Sequence, residues 1–305
     1  MSKVLARLGV PVLAVLALAG CGSSNNESSN SSSTSTPTTS ASGPSGANAA
    51  IEAEVPAAIK SKGTLTVASD ATYAPNEFIA SDGHTVIGMD ADLMTDLGEV
   101  MGLKVNIVNA TFDTIIPGLA AGKYDVGASS FTDTKEREKT VDFVDYFTAG
   151  VSFYAKASAN PTVKGLEDIC GLTVAVEKGT TEQEESTEQS GKCTKAGKKA
   201  VTVLTYPTQN GANLAISSGR AELGMADSPV AAYQVKQSEG AFKLVGETYG
   251  AAPYGLAIPK DSGMTKPILA ALKVLISNGK YMSILTKWGV QAGALSTPSI
   301  NGAQS

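Results

Sequence analysis

A single histidine and three cysteines are all that 305 residues offer toward the commonest metal cages and the commonest catalytic base. With so few, neither a His/Cys metal centre nor a histidine-dependent dyad is expected, and no cofactor is called for. Basic charge is not in surplus either. The 24 Lys and Arg face 29 Asp and Glu, for a formal charge of −5, and no basic stripe stands out. Nucleic acid is therefore not an expected partner. Glu77 and Glu99 have no visible acid–base partner, so the sequence shows no hydrolytic pair. The apolar run at the N-terminus, LGVPVLAVLAL (8–18), is too short to span a bilayer comfortably.

That run has another use. Lys3 and Arg7 precede it as a basic n-region, so residues 1–20 read as a secretory signal. The run ends in LAGC (18–21), which resembles the bacterial lipobox and implies cleavage before Cys21 and its diacylation. Residues 22–50 are mostly Ser, Thr, Asn, Gly and Pro, too polar to offset ordering entropy. Residues 21–50 are thus expected to be a lipidated cysteine and a disordered tether. As a random coil the tether would span roughly 30 Å, and at full stretch roughly 100 Å. The folded part is expected from about Ile51, outside the cell and fixed to its membrane. Cys170 and Cys193 remain. An oxidising compartment favours a disulfide between them, the alternative being two buried free thiols.

Strand and helix patterns alternate through the folded part. LTVAS (65–69), KVNIV (104–108) and YDVGAS (124–129) read as strands. Between them MDADLMTDLGEVMG (89–102) places Met89, Leu93, Leu97 and Val100 at helical spacing, and DTIIPGLAAG (113–122) gives a second helix. LTVAV (172–176), VTVLT (201–205) and ELGMA (222–226) resume the strands, with helices from about 181, over 210–219 and over 228–237. This is the alternation of an α/β protein. It also occurs twice. LTVA recurs at 65–68 and 172–175, and Gly122, Lys123, Asp125 and Gly127 fall on Gly219, Arg220, Glu222 and Gly224. Two lobes follow, 51–148 plus 252–305 and 149–251, with helices over 265–278 and 280–288 returning to the first. In this register Ser130 matches Asp227.

Ligands of open α/β sheets sit beyond the carboxyl ends of strands. The polar strand ends here are Ser69-Asp70 through Tyr73, Ser129-Ser130, Gly179-Thr180-Thr181 and Asp227-Ser228. SSFTDTKEREKTVDF (129–143) is the densest of these regions. Asp133 and Glu136 have capping-box spacing, so a short solvated helix is expected there. Arg137 stands apart, because its planar fork suits a carboxylate. Ser129, Ser130 and Thr132 lie just before it. Asp227, at the matching place in the other lobe, can accept from an ammonium group. One cation opposed to one carboxylate fits an α-amino acid; the bland alternative is an ion pair of Arg137 with Asp227 or Asp133. Thr180 and Thr181 can donate to the same carboxylate or simply cap a helix. Tyr73 and Phe112 can flank a ligand or pack in the core. Asp70 can meet a ligand side chain or cap a turn. His84 reads as a surface turn, and Trp288 as core or rim.

ASDATYAPNEF (68–78), IGMDADLM (87–94), FDTIIPGLAAGKYDVGASSFTDTKERE (112–138), VEKGTT (176–181), ADSPVAAY (226–233) and the ending over 279–288 together resemble the polar amino-acid-binding proteins of ABC importers, extracellular solute-binding family 3. The resemblance spans about residues 60–290. It implies a periplasmic-binding-protein type II fold, two lobes joined by two crossing strands near 148–154 and 246–254, closing over the ligand like a flytrap. It implies that Arg137, with Thr132 and Thr181, grips the α-carboxylate; that Ser130 and Asp227 take the α-amino group; and that Tyr73 and Phe112 flank the side chain. Asn76 departs from the Phe usual in relatives and is expected to read a polar side chain. Asp70 and Glu77 would favour a basic side chain, Asn76 an amide. The expected partner is a membrane permease, and the expected state is a monomer. A cyclohexadienyl dehydratase-like enzyme and a ligand-sensing partner of a receptor kinase are the alternatives.

Overall fold

The structure is a computed structural model that describes residues 46–303. The leader, Cys21 and the tether up to residue 45 lie outside the described residues. The first helix, α1 (Ala49–Glu54), already begins within the stretch assigned to the tether. Asn48 starts it: its Oδ1 accepts from Ala50 N at 3.1 Å, and its own N–H donates to Val100 O at 2.9 Å.

In chain order there follow α2 (Ala57–Lys62), β1 (Thr64–Ser69), the short strands β2 (Thr72–Tyr73), β3 (Glu77–Ile79) and β4 (Val86–Ile87), α3 (Met89–Val100), β5 (Lys104–Asn109), α4 (Phe112–Ala120) and β6 (Val126–Thr132). The long β7 (Val141–Lys156) leads to β8 (Thr173–Glu177), α5 (Thr181–Lys195), β9 (Thr202–Tyr206), α6 (Gln209–Ser217), β10 (Leu223–Asp227) and α7 (Ser228–Gln237). The equally long β11 (Phe242–Pro259) returns to α8 (Thr265–Ser277) and α9 (Lys280–Trp288). The small β2-β3-β4 sheet was not legible, because strands of two or three residues carry no alternation. The helix expected from Asp133 is instead a single 3-10 turn, Arg137–Lys139, started by Thr134, whose Oγ1 accepts from Arg137 N at 3.2 Å. Asp133 turns inward and is buried.

The main sheet runs β5-β1-β6-β11-β7-β10-β8-β9. Two parallel triplets, β5-β1-β6 and β9-β8-β10, flank an antiparallel central pair. That pair is the two crossing strands of a type II periplasmic-binding fold. Its register slips between Val245 and Tyr249, between Tyr249 and Ala252, and between Tyr254 and Gly255; the first two slips put the extra residues in β11 and the third puts one in β7. Gly246 (φ 69) and Gly250 (φ 62) sit at the first two slips, in the left-handed region that glycine tolerates.

The internal repeat has a geometric counterpart. Asp125 Oδ2 accepts from Thr66 N at 2.7 Å while Asp125 N donates to Thr66 O at 2.9 Å. In the second half Glu222 Oε2 accepts from Thr173 N at 2.9 Å while Glu222 N donates to Thr173 O at 2.9 Å. Each acid clasps the start of the neighbouring parallel strand and fixes its register. Separate cores support the two halves. Leu65, Val67, Leu93 and Leu97 pack with Leu272, Leu275 and Leu285, which brings α8 and α9 onto α3. Phe153, Ile169, Val174, Val176 and Met225 pack with Cys193 in the other. Each fully buried side chain of this size contributes about 1.5–3 kcal/mol.

Cys170 and Cys193 form a disulfide with Cα atoms 5.6 Å apart. It ties the turn Leu166–Ile169 to α5. The closed loop is worth about 3 kcal/mol in the chain-entropy model. The double variant Cys170→Ser/Cys193→Ser is expected to melt roughly 6–12 °C lower by calorimetry. An unchanged Tm would show that the bridge adds nothing to the fold.

Candidate functional site

The carboxyl ends of β1, β6, β8 and β10 converge between the two halves, each handing over to polar residues. Asp70, Ser129, Ser130, Thr132, Glu177 and Asp227 come from these ends; Tyr73, Phe112, Arg137, Thr180, Thr181 and Glu182 complete the lining of one pocket. The pocket is small and tightly walled. Every candidate cleft residue except Asn76 lies on this wall.

Arg137 is held without a counter-charge. Nη1 donates to Thr132 O at 2.8 Å and Nη2 to Gly179 O, across the cleft, at 3.0 Å. The guanidinium sits 5.4 Å from the Phe112 ring and 5.8 Å from Phe131, which stack at 4.5 Å. The ion pairs with Asp227 or Asp133 allowed by the sequence do not form among the described residues. Burial lowers the Arg137 pKa from its usual value, and nearby carboxylates oppose that. The guanidinium stays charged.

Opposite stand carboxyls. Asp227 Oδ2 accepts from Tyr73 Oη at 2.9 Å, and Asp227 N donates back to the same phenol oxygen at 3.0 Å. Tyr73 therefore braces one lobe against the other as well as lining the pocket. Burial pushes Asp227 well above the usual carboxylate range, and the charge of Glu182 adds to this. Glu182, from the first turn of α5, is raised by burial, and its Oε1 has no hydrogen-bond partner among the described residues. Asp70 accepts from Thr72 Oγ1 at 2.7 Å and from Phe112 N at 2.9 Å. Across from it Glu177, 2 % exposed, also has an unpartnered Oε1. Burial and the neighbouring Asp70 hold Glu177 well above its ordinary value. Thr180 caps α5, accepting from Gln183 N at 3.3 Å, and Thr181 Oγ1 reaches Glu182 Oε2 at 3.3 Å.

Two expectations need correction. Asn76 does not line the pocket. The turn that returns its N–H to Tyr73 O, and its carbonyl to Asp90 N, folds the side chain behind the wall. There it is fully buried, and Nδ2 donates to Ser130 Oγ at 2.9 Å. Glu77 is likewise behind the wall. It accepts from Ser129 Oγ at 3.2 Å beside Asp90, which accepts from Ser130 N at 2.8 Å and from Tyr146 Oη at 2.6 Å. These groups set the two serines instead of reading a ligand. Glu177 and Glu182 escaped the sequence reading. The signal available was a charged residue closing the apolar strand LTVAVE and another just after Thr181.

The lobes touch across the cleft. Lys178 pairs with Asp113 at 2.7 Å, and Gln209 N donates to Thr72 Oγ1 at 3.1 Å. Gly179 (φ 82) lies so close to Asp113 that a Cβ there would come within 2.9 Å of it. The cleft is closed.

A profile of the bacterial extracellular solute-binding proteins, family 3, matches residues 65–291. The chain belongs to that family. Among curated relatives, the arginine-binding protein ArgT of Corynebacterium glutamicum is 40 % identical over 252 residues, 82 % of each chain. The ABC transporter glutamine-binding protein GlnH of Bacillus subtilis is 30 % identical, over 66 % of this chain and 72 % of its own. Among solved structures, an ancestral arginine-binding protein bound to arginine superposes with a TM-score of 0.68 at 35 % identity, over 74 % of this chain and 98 % of that one. An ancestral amino-acid-binding protein described as a precursor of cyclohexadienyl dehydratase gives 0.68 at 34 %, over 76 % and 97 %. This family member is therefore an extracellular solute-binding protein, with the fold of its solved neighbours.

The crowded carboxyls have a consequence for stability. Unfolded carboxyls titrate near 4, whereas Asp70, Glu177, Glu182 and Asp227 are raised in the fold. The native state then binds more protons than the unfolded chain above that pH, so stability falls as pH rises. Without an amino acid added, the protein is expected to melt at a lower temperature at pH 8 than at pH 5. Glu177→Gln, which cannot ionise, should narrow the difference by a few degrees in a thermal melt; an equal difference in both proteins would remove Glu177 from the crowd.

Proposed function

We propose that the cleft captures an L-amino acid with a cationic side chain, arginine above others, and that the chain delivers it to a membrane permease while anchored through a lipid on Cys21. The observation that carries the reading is the charge balance of the pocket. One guanidinium without a counter-ion faces four buried carboxyls, two of which present an unpartnered oxygen. A neutral amino acid would match Arg137 and Asp227 and leave Asp70 and Glu177 facing each other. A second positive charge at the far end of the ligand compensates them. In this arrangement Arg137, with Thr132 and Thr181, takes the α-carboxylate, and Asp227 with Ser130 takes the α-ammonium group. Asp70 and Glu177 receive the side-chain cation, while Phe112 and Tyr73 flank its aliphatic stem. The arginine-binding relatives support the same choice.

Capture needs no covalent step. Ligand contacts to both lobes favour the closed form, and closure excludes water, which strengthens the ionic contacts. A dehydratase acting on a prephenate-like dicarboxylate fits less well, because its second carboxylate would meet Asp70 and Glu177 instead of a cation. The signal-like residues 1–20 and the lipobox-like LAGC (18–21) support a folded part tethered at the outer face of the membrane; in this reading it acts as a monomer.

Calorimetry is expected to show L-arginine binding at least tenfold more tightly than its neutral isostere L-citrulline, a difference of about 1.4 kcal/mol or more. Arg137→Ala should cost at least about 3 kcal/mol, since it leaves the ligand carboxylate buried and unpaired. Equal affinities for arginine and citrulline would sink the cationic assignment, and turnover of prephenate would favour the enzyme. In cells, Cys21→Ala is expected to move the protein from the membrane fraction to the medium. A variant that stays in the membrane fraction would refute the anchor.

A further inference from the structure

The chain after α9 turns back along β7. Phe147 bridges to Ala294 and Val144 to Ile300, and Asp145 N donates to Ser299 O at 2.9 Å. This segment ends on two carboxyls. Ser299 Oγ and Gly302 N donate to Asp145 Oδ2 at 2.6 and 3.1 Å, and Ala303 N donates to Asp133 Oδ2 at 3.1 Å. Asp133 and Asp145 are 2 % and 1 % exposed, and Oδ1 of each has no donor among the described residues. The adjacent amides of Gly302 and Ala303, one donating to each acid, hold the two carboxyls side by side. Two like charges so close and so buried do not ionise together. Asp145 receives two donors and Asp133 one, so the negative charge rests on Asp145 and the proton on Asp133.

Asp133 also belongs to the turn that carries Arg137. Its N–H donates to Pro253 O of β11 at 2.9 Å. The carbonyl before it, Thr132 O, accepts from Arg137 Nη1, and the hydroxyl after it, Thr134 Oγ1, accepts from Arg137 N. We propose that Asp133 and Asp145 are positioning residues for Arg137: a proton held between them fastens the C-terminal segment to the turn beneath the guanidinium, and its loss slackens that turn. The inference rests on the reading of Arg137 as the carboxylate anchor.

The surroundings set where the proton leaves. Burial, then Asp145, then Glu138 on the same turn raise Asp133 to about 7. Lys135 is 3.0 Å from Glu138 and balances it in part, and Arg137 is the other nearby cation. Residues 290–303 carry no charged side chain, and β11 contributes only Pro253 O here. The proton is therefore held below pH 7 and lost above it.

The test compares L-arginine affinity at pH 6 and pH 8, by calorimetry, in the wild type and in Asp133→Asn, whose amide keeps a donor toward Asp145 at both pH values. The cleft carboxyls titrate alike in the two proteins, so the difference isolates this pair. Wild-type affinity is expected to fall roughly fivefold more than that of the variant. Asp133→Ala should be weak at both pH values, with Asn restoring what Ala loses. Identical pH dependence in wild type and Asp133→Asn would overturn the proposal. Should the variants not fold, hydrogen exchange of the wild-type Gly302 and Ala303 amides decides. After correction for intrinsic rates, faster exchange at pH 8 than at pH 6 supports the fastening, and equal exchange overturns it. A wild type that binds no arginine at either pH would instead remove the assignment of the cleft, and the exchange result would still judge the proton between Asp133 and Asp145.

Discussion

Taking charge out of water and making it useful is the constraint around which this molecule is arranged. A guanidinium and four carboxyls are withdrawn into a closed cleft, where each is costly unless paired. Hydrogen bonds hold Arg137, Asp70 and Asp227 without cancelling their charges. Arg137 is held by two carbonyls and two aromatic rings, which keep it in place without neutralising it. Glu177 and Glu182 each keep an oxygen that accepts from no donor among the described residues. The site is thus built for a charged guest, and the proposed ligand, a zwitterion with a further positive charge, would offset these groups. Selectivity follows from the same source, because a ligand of the wrong charge leaves groups stranded.

The scaffold makes this possible by doubling one simple unit. Each half orders three parallel strands and clasps the middle one with an acid from the loop before the third, Asp125 in one half and Glu222 in the other. Matching strand ends then face each other automatically. At those ends the halves diverge. Ser130 and Asp227 occupy equivalent places, but one is a hydroxyl supported by Asn76 and the other a carboxyl supported by Tyr73 from the opposite lobe. Similar frames with different terminal residues turn a duplicated fold into a polarised cleft.

Much of this was legible. The strand–helix alternation, the repeat and the polar strand ends were enough to bring together Asp70, Ser129, Ser130, Arg137, Thr180 and Asp227. Spacing could not say which way a side chain turns. Asn76 and Glu77 sit in the same short stretch as Tyr73, yet the turn at 73–76 sends both behind the wall while Tyr73 reaches the other lobe. Glu177 was hidden for a different reason. It ends a buried strand, where an acid reads as the first solvated residue, and only the approach of the other lobe shows that it stays buried. Asp133 looked like a helix cap because its spacing to Glu136 was right. Tertiary contact with the C-terminal segment, far away in sequence, claimed it instead.

The crossing strands have unequal characters. β7 passes from one half to the other as an unbroken strand, with Gly150 pressed against the Tyr249 carbonyl so closely that a Cβ would lie 2.5 Å from it. β11 makes the same passage with two slips of register and a left-handed glycine beside each. Where the two connections pass between the halves, then, extra residues and left-handed turns are gathered in β11, while β7 threads the same gap with its Gly150 tight against the neighbouring backbone.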